Sequence, residues 1–129
     1  MIRHPDREIL PSFHKDLKKT THILVMYVYD ITENFPRSEL YGTTSQLRRA
    51  AVSVMLNNVE GFARKKPKVQ LNFYEISYGS AKESKYLIFL AYERKWISRD
   101  QFENGFQLAD RICGMLWSTI DGLEHKIEG

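Results

Sequence analysis

Apolar side chains fall into four long periodic runs, each spaced by alternating steps of four and three residues, the signature of a helix with one buried face. The first run is Leu17, Leu24, Val28, Ile31 and Phe35, with Thr21 in the remaining slot, and it closes at Pro36. The second is Leu47, Ala51, Val54, Asn58 and Phe62. Thr43, Thr44 and Ser45 precede it as capping candidates, and Pro67 disfavours helical geometry at Lys66, where the run should end. A third helix is expected from Pro67 to Trp96, with Phe73, Ser77, Ser80, Ser84, Leu87 and Ala91 on one face. The fourth carries the pattern through Phe102, Phe106, Ala109, Cys113, Leu116, Ile120, Leu123 and Ile127, with Ser98 or Asp100 as its cap. No strand pattern or internal repeat competes. Short connections between four helices predict an all-α, antiparallel up-down-up-down four-helix bundle. Residues 1–129 are expected to form one domain, with residues 1–14 as an N-terminal extension.

The second helix breaks its own pattern. Asn58 occupies the apolar stripe, Gly61 follows one turn later, and the run ends in Arg64, Lys65, Lys66 and Lys68. Val52, Leu56, Val59 and Ala63 form another apolar sector well round the cylinder from the first. A helix apolar on two sides should be buried on two sides, which a bundle of this size achieves by self-association. The third helix agrees, since a stripe of Leu71, Tyr74, Tyr78, Phe89, Tyr92 and Trp96 lies opposite its serines, with Lys82 and Lys85 in the gaps. Tyr74, Tyr78, Phe89, Tyr92 and Trp96 are therefore candidates for a subunit interface. Gly61 should let a neighbouring backbone approach the serine face, and a buried Asn57 or Asn58 can fix helix register if its amide is satisfied. Asn57, Asn58, Glu60 and Gly61 are read as structural. Glu60 also stands at i,i+4 spacing from Arg64, a surface pair worth a few tenths of a kcal/mol.

Composition adds bounds. With 129 residues, 43% hydrophobic and 27% charged, the chain can build a single core. Nothing approaches the roughly 18 to 20 uninterrupted apolar residues of a membrane span, and Met1 to Leu10 has no signal-peptide core, so a cytoplasmic protein without membrane contact is expected. The lone Cys113 sits in an apolar stripe and reads as a small core residue. A net charge of +3 is only mildly basic, but its distribution is uneven. Arg48, Arg49, Arg64, Lys65, Lys66 and Lys68 face only Glu60 between positions 48 and 68; with Lys82 and Lys85 they are the candidate nucleic-acid contacts.

Enzyme chemistry finds no footing. No Glu is followed three residues later by His, as a di-iron bundle requires. His4, His14, His22 and His125 are scattered and are expected to be solvated. No phosphate-cradling glycine loop, nucleophile elbow or paired-cysteine motif is present. No catalytic residue, metal site or cofactor is expected.

The Phe35-Pro36 turn, Tyr41-Gly42, Gln46-Leu47-Arg48-Arg49-Ala50-Ala51, Ser53, Asn57, Glu60-Gly61-Phe62 and Gly79-Ser80 with Glu83 occur in one order from Leu17 to Ile127. In these features the chain resembles the four-helix-bundle family of proteins encoded in intervening sequences of bacterial 23S ribosomal RNA genes, a group that includes the accessory variability determinants of diversity-generating retroelements. Met55 stands where that family often has Pro, which should leave the second helix straighter. The resemblance implies a non-enzymatic, ring-like homopentamer with a basic surface. In the retroelement branch it implies binding to RNA or DNA and to a partner reverse transcriptase; in the ribosomal-gene branch the role is undefined. A pure protein-interaction module is the remaining possibility.

Overall fold

The computed structural model describes residues 11–129, and its four long helices are α1 (Pro11–Thr32), α2 (Ser45–Ala63), α3 (Pro67–Glu93) and α4 (Arg99–Glu128). No strand occurs among the described residues. Pro11 to His14 are already helical, so that part of the expected extension belongs to α1; residues 1–10 lie outside the described residues, as do His4 and the expectation about a signal-peptide core.

Contacts run in opposite order along neighbouring helices. Between α1 and α2, His14 meets Phe62, Thr21 meets Asn58 and Thr32 meets Arg48. Between α2 and α3, Ser53 meets Ser80, Asn58 meets Ser77 and Arg64 meets Phe73. Between α3 and α4, Tyr78 meets Trp117, Lys85 meets Asp110 and Tyr92 meets Phe102. Tyr27 closes α1 on α4 by donating from its hydroxyl to the Gln101 carbonyl.

The core takes most of the stripes the periodicity predicts for α1, α2 and α4, joined by Tyr74, Ala81, Leu87, Ile88 and Ala91 of α3. Leu17, Leu24, Val28, Ile31, Leu47, Ala51, Val54, Ala109, Leu116 and Leu123 are all buried. Cys113 is buried with them, and burial pushes its thiol above its ordinary range, as a packed, unreactive cysteine requires.

The helix ends show what the chain does where the period stops. α1 ends at Thr32, and Phe35 folds under the turn against Trp96, with ring centroids 5.1 Å apart. The link to α2 is a short 3₁₀ turn, Arg37–Glu39, and a wide π-turn, Leu40–Thr44. Thr43, Thr44 and Ser45 do not cap α2 with their side chains. The side-chain cap sits one element earlier: the Glu39 carboxylate caps the π-turn by accepting from the Thr43 amide and hydroxyl, which also lowers the Glu39 pKa. α2 stops at Ala63 and α3 at Glu93, both three residues short of the expected ends. At the latter, Lys95 takes a left-handed φ of 66°, while the Lys95 and Trp96 amides donate to the Tyr92 and Ala91 carbonyls. This is a Schellman closure with lysine where glycine is usual. Ser98 and Gln101 form a reciprocal capping box at the start of α4.

Candidate functional site

The polar interruption of α2 becomes a buried seam through three helices. Asn58 is fully buried; its amide nitrogen donates to Thr21 Oγ1 on α1, and its amide oxygen accepts from Ser77 Oγ on α3. Thr21 in turn donates to the Leu17 carbonyl, and Ser77 also lies 2.9 Å from the Val54 carbonyl. Every member has a partner, so the seam can pin the register of α1, α2 and α3 without an orphaned polar group. Asn57 is half-buried and local, donating to the carbonyl and hydroxyl of Ser53, which bonds Ser80 across the α2–α3 boundary. Glu60 pairs with Arg64 at 2.8 Å, both half exposed, so this pair is the surface i,i+4 contact.

Gly61 is buried for a different reason from the one its spacing suggested. No backbone and no serine crosses it. The ring of Tyr74 lies on it, and a Cβ at position 61 would sit 2.8 Å from Tyr74 Cε2. Tyr74 is wholly buried inside the subunit, so it is removed from the set of interface candidates. Burial pushes its phenol pKa upward, and its hydroxyl has no hydrogen-bond partner. The other members of that stripe are mostly joints with neighbouring elements. Tyr78 packs on Trp117, Tyr92 stacks on Phe102 and Trp96 meets Phe35 at a tilt; of the stripe only Phe89 is exposed.

The second apolar sector of α2 does face outward. Leu56 is 59% and Val59 42% exposed, and Val52 and Leu56 share a hollow with Tyr29 of α1, three residues from the exposed Met26. Sequence reasoning missed the α1 half of this face, because Ile23, Met26 and Tyr29 fall between the buried positions of α1 and run into Asp30 and Glu33, so they form no clear stripe. It also missed Tyr41, 94% exposed on the π-turn.

The candidate cations separate into three groups. Arg48 and Arg49 lie near the start of α2, Lys82 and Lys85 midway along α3, and Arg64, Lys65, Lys66 and Lys68 at the α2–α3 corner. Sixteen residues of rise put the first and last groups roughly 24 Å apart along the axis. Several are already engaged. Lys85 bonds Asp110 at 2.7 Å and lies over Phe106; that hydrogen bond raises the Lys85 pKa and lowers that of Asp110. It is therefore not an open phosphate contact. Lys82 rides over Tyr78. Arg48 donates from Nε to Thr32 Oγ1 and stacks over Tyr29, and Arg64 is shared between Glu60 and Phe73. Lys65, Lys66 and Lys68 are exposed, and no carboxylate pairs with any of them among the described residues. Pro67 opens α3 between them and fixes the backbone from which they project.

Among the described residues no His, Cys, Asp and Glu cluster is suited to a metal ion, and no helix is long and apolar enough to cross a membrane. His14 is not solvated as expected. Its ring stacks on Phe62 at 3.8 Å, with Nδ1 buried and unpartnered, and burial, assisted by the Lys18 charge, lowers its pKa. His22 and His125 are exposed.

Comparison with known proteins agrees with this architecture. No curated protein compared with the chain matches it. A crystal structure of a protein of unknown function from the S23 ribosomal protein family of Bacteroides thetaiotaomicron superposes with a TM-score of 0.77 at 18% identity, covering 84% of this chain and 98% of the other. That is a likeness of fold. The sequence model of the 23S rRNA-intervening sequence proteins matches residues 15–118, nearly the whole bundle, and the chain belongs to that family.

Proposed function

We propose that this chain is a non-enzymatic scaffold that holds nucleic-acid backbone at its α2–α3 corner. The observation that carries the reading is the triplet Lys65, Lys66 and Lys68, exposed, without a carboxylate partner among the described residues, and projected from a proline-fixed turn, with Arg64 beside it. Phosphate contacts of this kind give sequence-tolerant binding, and any base preference falls to a partner. In the same reading the antiparallel, up-down-up-down bundle closes into a ring-like homo-oligomer, five subunits by the family resemblance, through the outward face of Met26, Tyr29, Val52, Leu56 and Val59. A ring would present the basic corner once per subunit.

The experiment is a salt series of RNA and DNA affinities for the parent and for a variant with Lys65, Lys66 and Lys68 changed to Gln. Loss of three phosphate contacts should flatten the slope of log affinity against log salt by about 2 to 3 units, while helicity is kept. An unchanged slope with intact helicity would move the reading to a protein-only module. Native mass spectrometry showing monomer alone at micromolar concentration would remove the ring. The family model carries the name of the ribosomal-gene branch, whose role is undefined; a reverse transcriptase partner, as in the retroelement branch, would require that enzyme and a template repeat beside the gene and its co-purification with this chain.

A further inference from the structure

At the other end of α2 from the lysines, the end of α1 and the two connecting turns enclose a hollow of about 700 Å³. Phe35, Pro36 and Leu40 give it an apolar wall, and Arg37, Arg48 and Thr44 give it donors. This volume lies within the usual range of small-molecule sites. Three features of the donors are unusual for idle surface. Arg48 is half-buried and held in place, with Nε on Thr32 at 2.8 Å and its Cζ 4.8 Å from the Tyr29 ring centroid, yet among the described residues its two terminal nitrogens have no partner and no carboxylate neutralises it. Arg37, on the 3₁₀ turn, is likewise unpaired among the described residues. Thr44 is only 2% exposed, and its Oγ1 has no hydrogen-bond partner. The Thr44 oxygen is itself closed off from solvent, so the pointer to a ligand that accepts hydrogen bonds is the pair of free guanidinium groups beside the apolar wall.

We infer that this hollow is a binding site for a phosphate monoester carried on a flat apolar group. Guanidinium forks match phosphate oxygens bidentately, and a dianion suits two arginines better than a single carboxylate would. Phe35, Pro36 and Leu40 receive the organic part. Glu33, exposed in the same wall, opposes the anion and tunes the affinity downward. The site is independent of the nucleic-acid reading, because it uses none of the corner lysines.

The test is titration of the full chain with phenyl phosphate, inorganic phosphate and phenol, followed by calorimetry and by backbone and arginine side-chain NMR shifts. Phenyl phosphate should bind and move the Thr44 amide and Arg48 Nε–H resonances, inorganic phosphate should bind more weakly, and phenol should not bind. Arg37→Gln, at an exposed position, should weaken phenyl phosphate about tenfold without lowering the melting temperature, Arg48→Gln should weaken it at least as much, and Glu33→Gln should tighten it severalfold. The Lys65, Lys66 and Lys68 to Gln variant should bind phenyl phosphate as the parent does, even where it has lost nucleic acid. No binding at 10 mM, binding unchanged in Arg37→Gln, or binding lost in the lysine variant would each overturn the site. Equal affinity for inorganic and phenyl phosphate would overturn the role of the apolar wall.

Discussion

Gly61→Ala sets two effects of known sign against each other, and the structure decides which wins. Alanine favours an exposed helix interior over glycine by up to about 1 kcal/mol. At position 61, however, the added Cβ would lie 2.8 Å from Tyr74 Cε2 and 3.0 Å from Cδ2 and Cζ, against an optimum of about 3.5 to 4.0 Å for carbon pairs. The obstacle is a fully buried ring, so it cannot swing aside into solvent. Overpacking of this kind costs about 1 to 3 kcal/mol, and the net expectation is destabilisation by about 1 kcal/mol, a fall of about 4 °C in melting temperature. Gly79 on α3 and Gly114 on α4 supply the control, since a Cβ at either meets nothing within 4 Å. Gly79→Ala and Gly114→Ala should each raise stability by about 0.5 to 1 kcal/mol. A thermal and urea denaturation series on the three variants reads the difference in sign, and Gly61→Leu should be worse than Gly61→Ala. The cycle with Tyr74→Leu assigns the cause: in that background Gly61→Ala should recover about 1 kcal/mol or more of coupling. A stabilised Gly61→Ala, or a coupling of zero, would refute the contact as the reason for the glycine.

Three further perturbations read other parts of the structure. Asn58→Asp should lose about 3 kcal/mol at neutral pH by placing an unpaired carboxylate in the three-helix seam. Burial raises the folded pKa of that carboxyl above its unfolded value, so stability should return as pH falls, whereas Asn58→Ala should show no such recovery in urea titrations between pH 7 and 4.5. Lys95→Gly should stabilise by about 0.5 to 1 kcal/mol in thermal melts, because the left-handed φ of 66° costs lysine more than glycine. His14 has a folded pKa below its ordinary 6.5, so the unfolded chain takes up its proton first. Stability should therefore be level above about pH 7 and decline as pH falls through 6.5, and His14→Leu should flatten that decline; an identical pH profile in the variant would exclude His14 as its source.

The four-helix plan was legible because α1, α2 and α4 each bury one stripe, and the four-three spacing of Leu17, Leu47 and Ala109 with their successors admits one phase. On α3 the same spacing admits two. Phe73, Ser77, Ser80, Ser84, Leu87 and Ala91 satisfy it, and so do Gln70, Tyr74, Ser77, Ala81, Ser84, Ile88 and Ala91, the line that the helix buries most fully. The helix is apolar or small around most of its circumference, so hydrophobicity gives the wheel no preferred angle, and a small error in phase moved Tyr74 from the core to the imagined outer face. The same error turned Gly61 from a seat for a tyrosine ring into a backbone crossing. The π-turn at Leu40–Thr44 was illegible because its cap comes from Glu39, a residue type that does not advertise an N-cap, upstream of Thr43, Thr44 and Ser45.

The candidate site divides along a similar line, between pairings that are local in sequence and pairings that are not. Glu60 with Arg64 could be read from i,i+4 spacing. Lys85 with Asp110, 25 residues apart, and Arg48 with Thr32, 16 apart, exist only once the helices pack. A list of cations therefore overstates the charge available at the corner: Lys85 is neutralised by Asp110, and Arg48 is tied through Nε to Thr32 at the opposite end of α2. What remains unengaged among the described candidates is Arg49 near the start of α2 and, together on the short proline-fixed connection to α3, Lys65, Lys66 and Lys68. Among the described residues no carboxylate pairs with any of the three lysines. The corner also follows directly from Gly61 and Phe62, which anchor the last turn of α2 against Tyr74 and His14. A variant that loosens that anchor, such as Gly61→Leu, should weaken nucleic-acid binding without touching a single charge, because phosphate contacts made from a mobile turn must also order it.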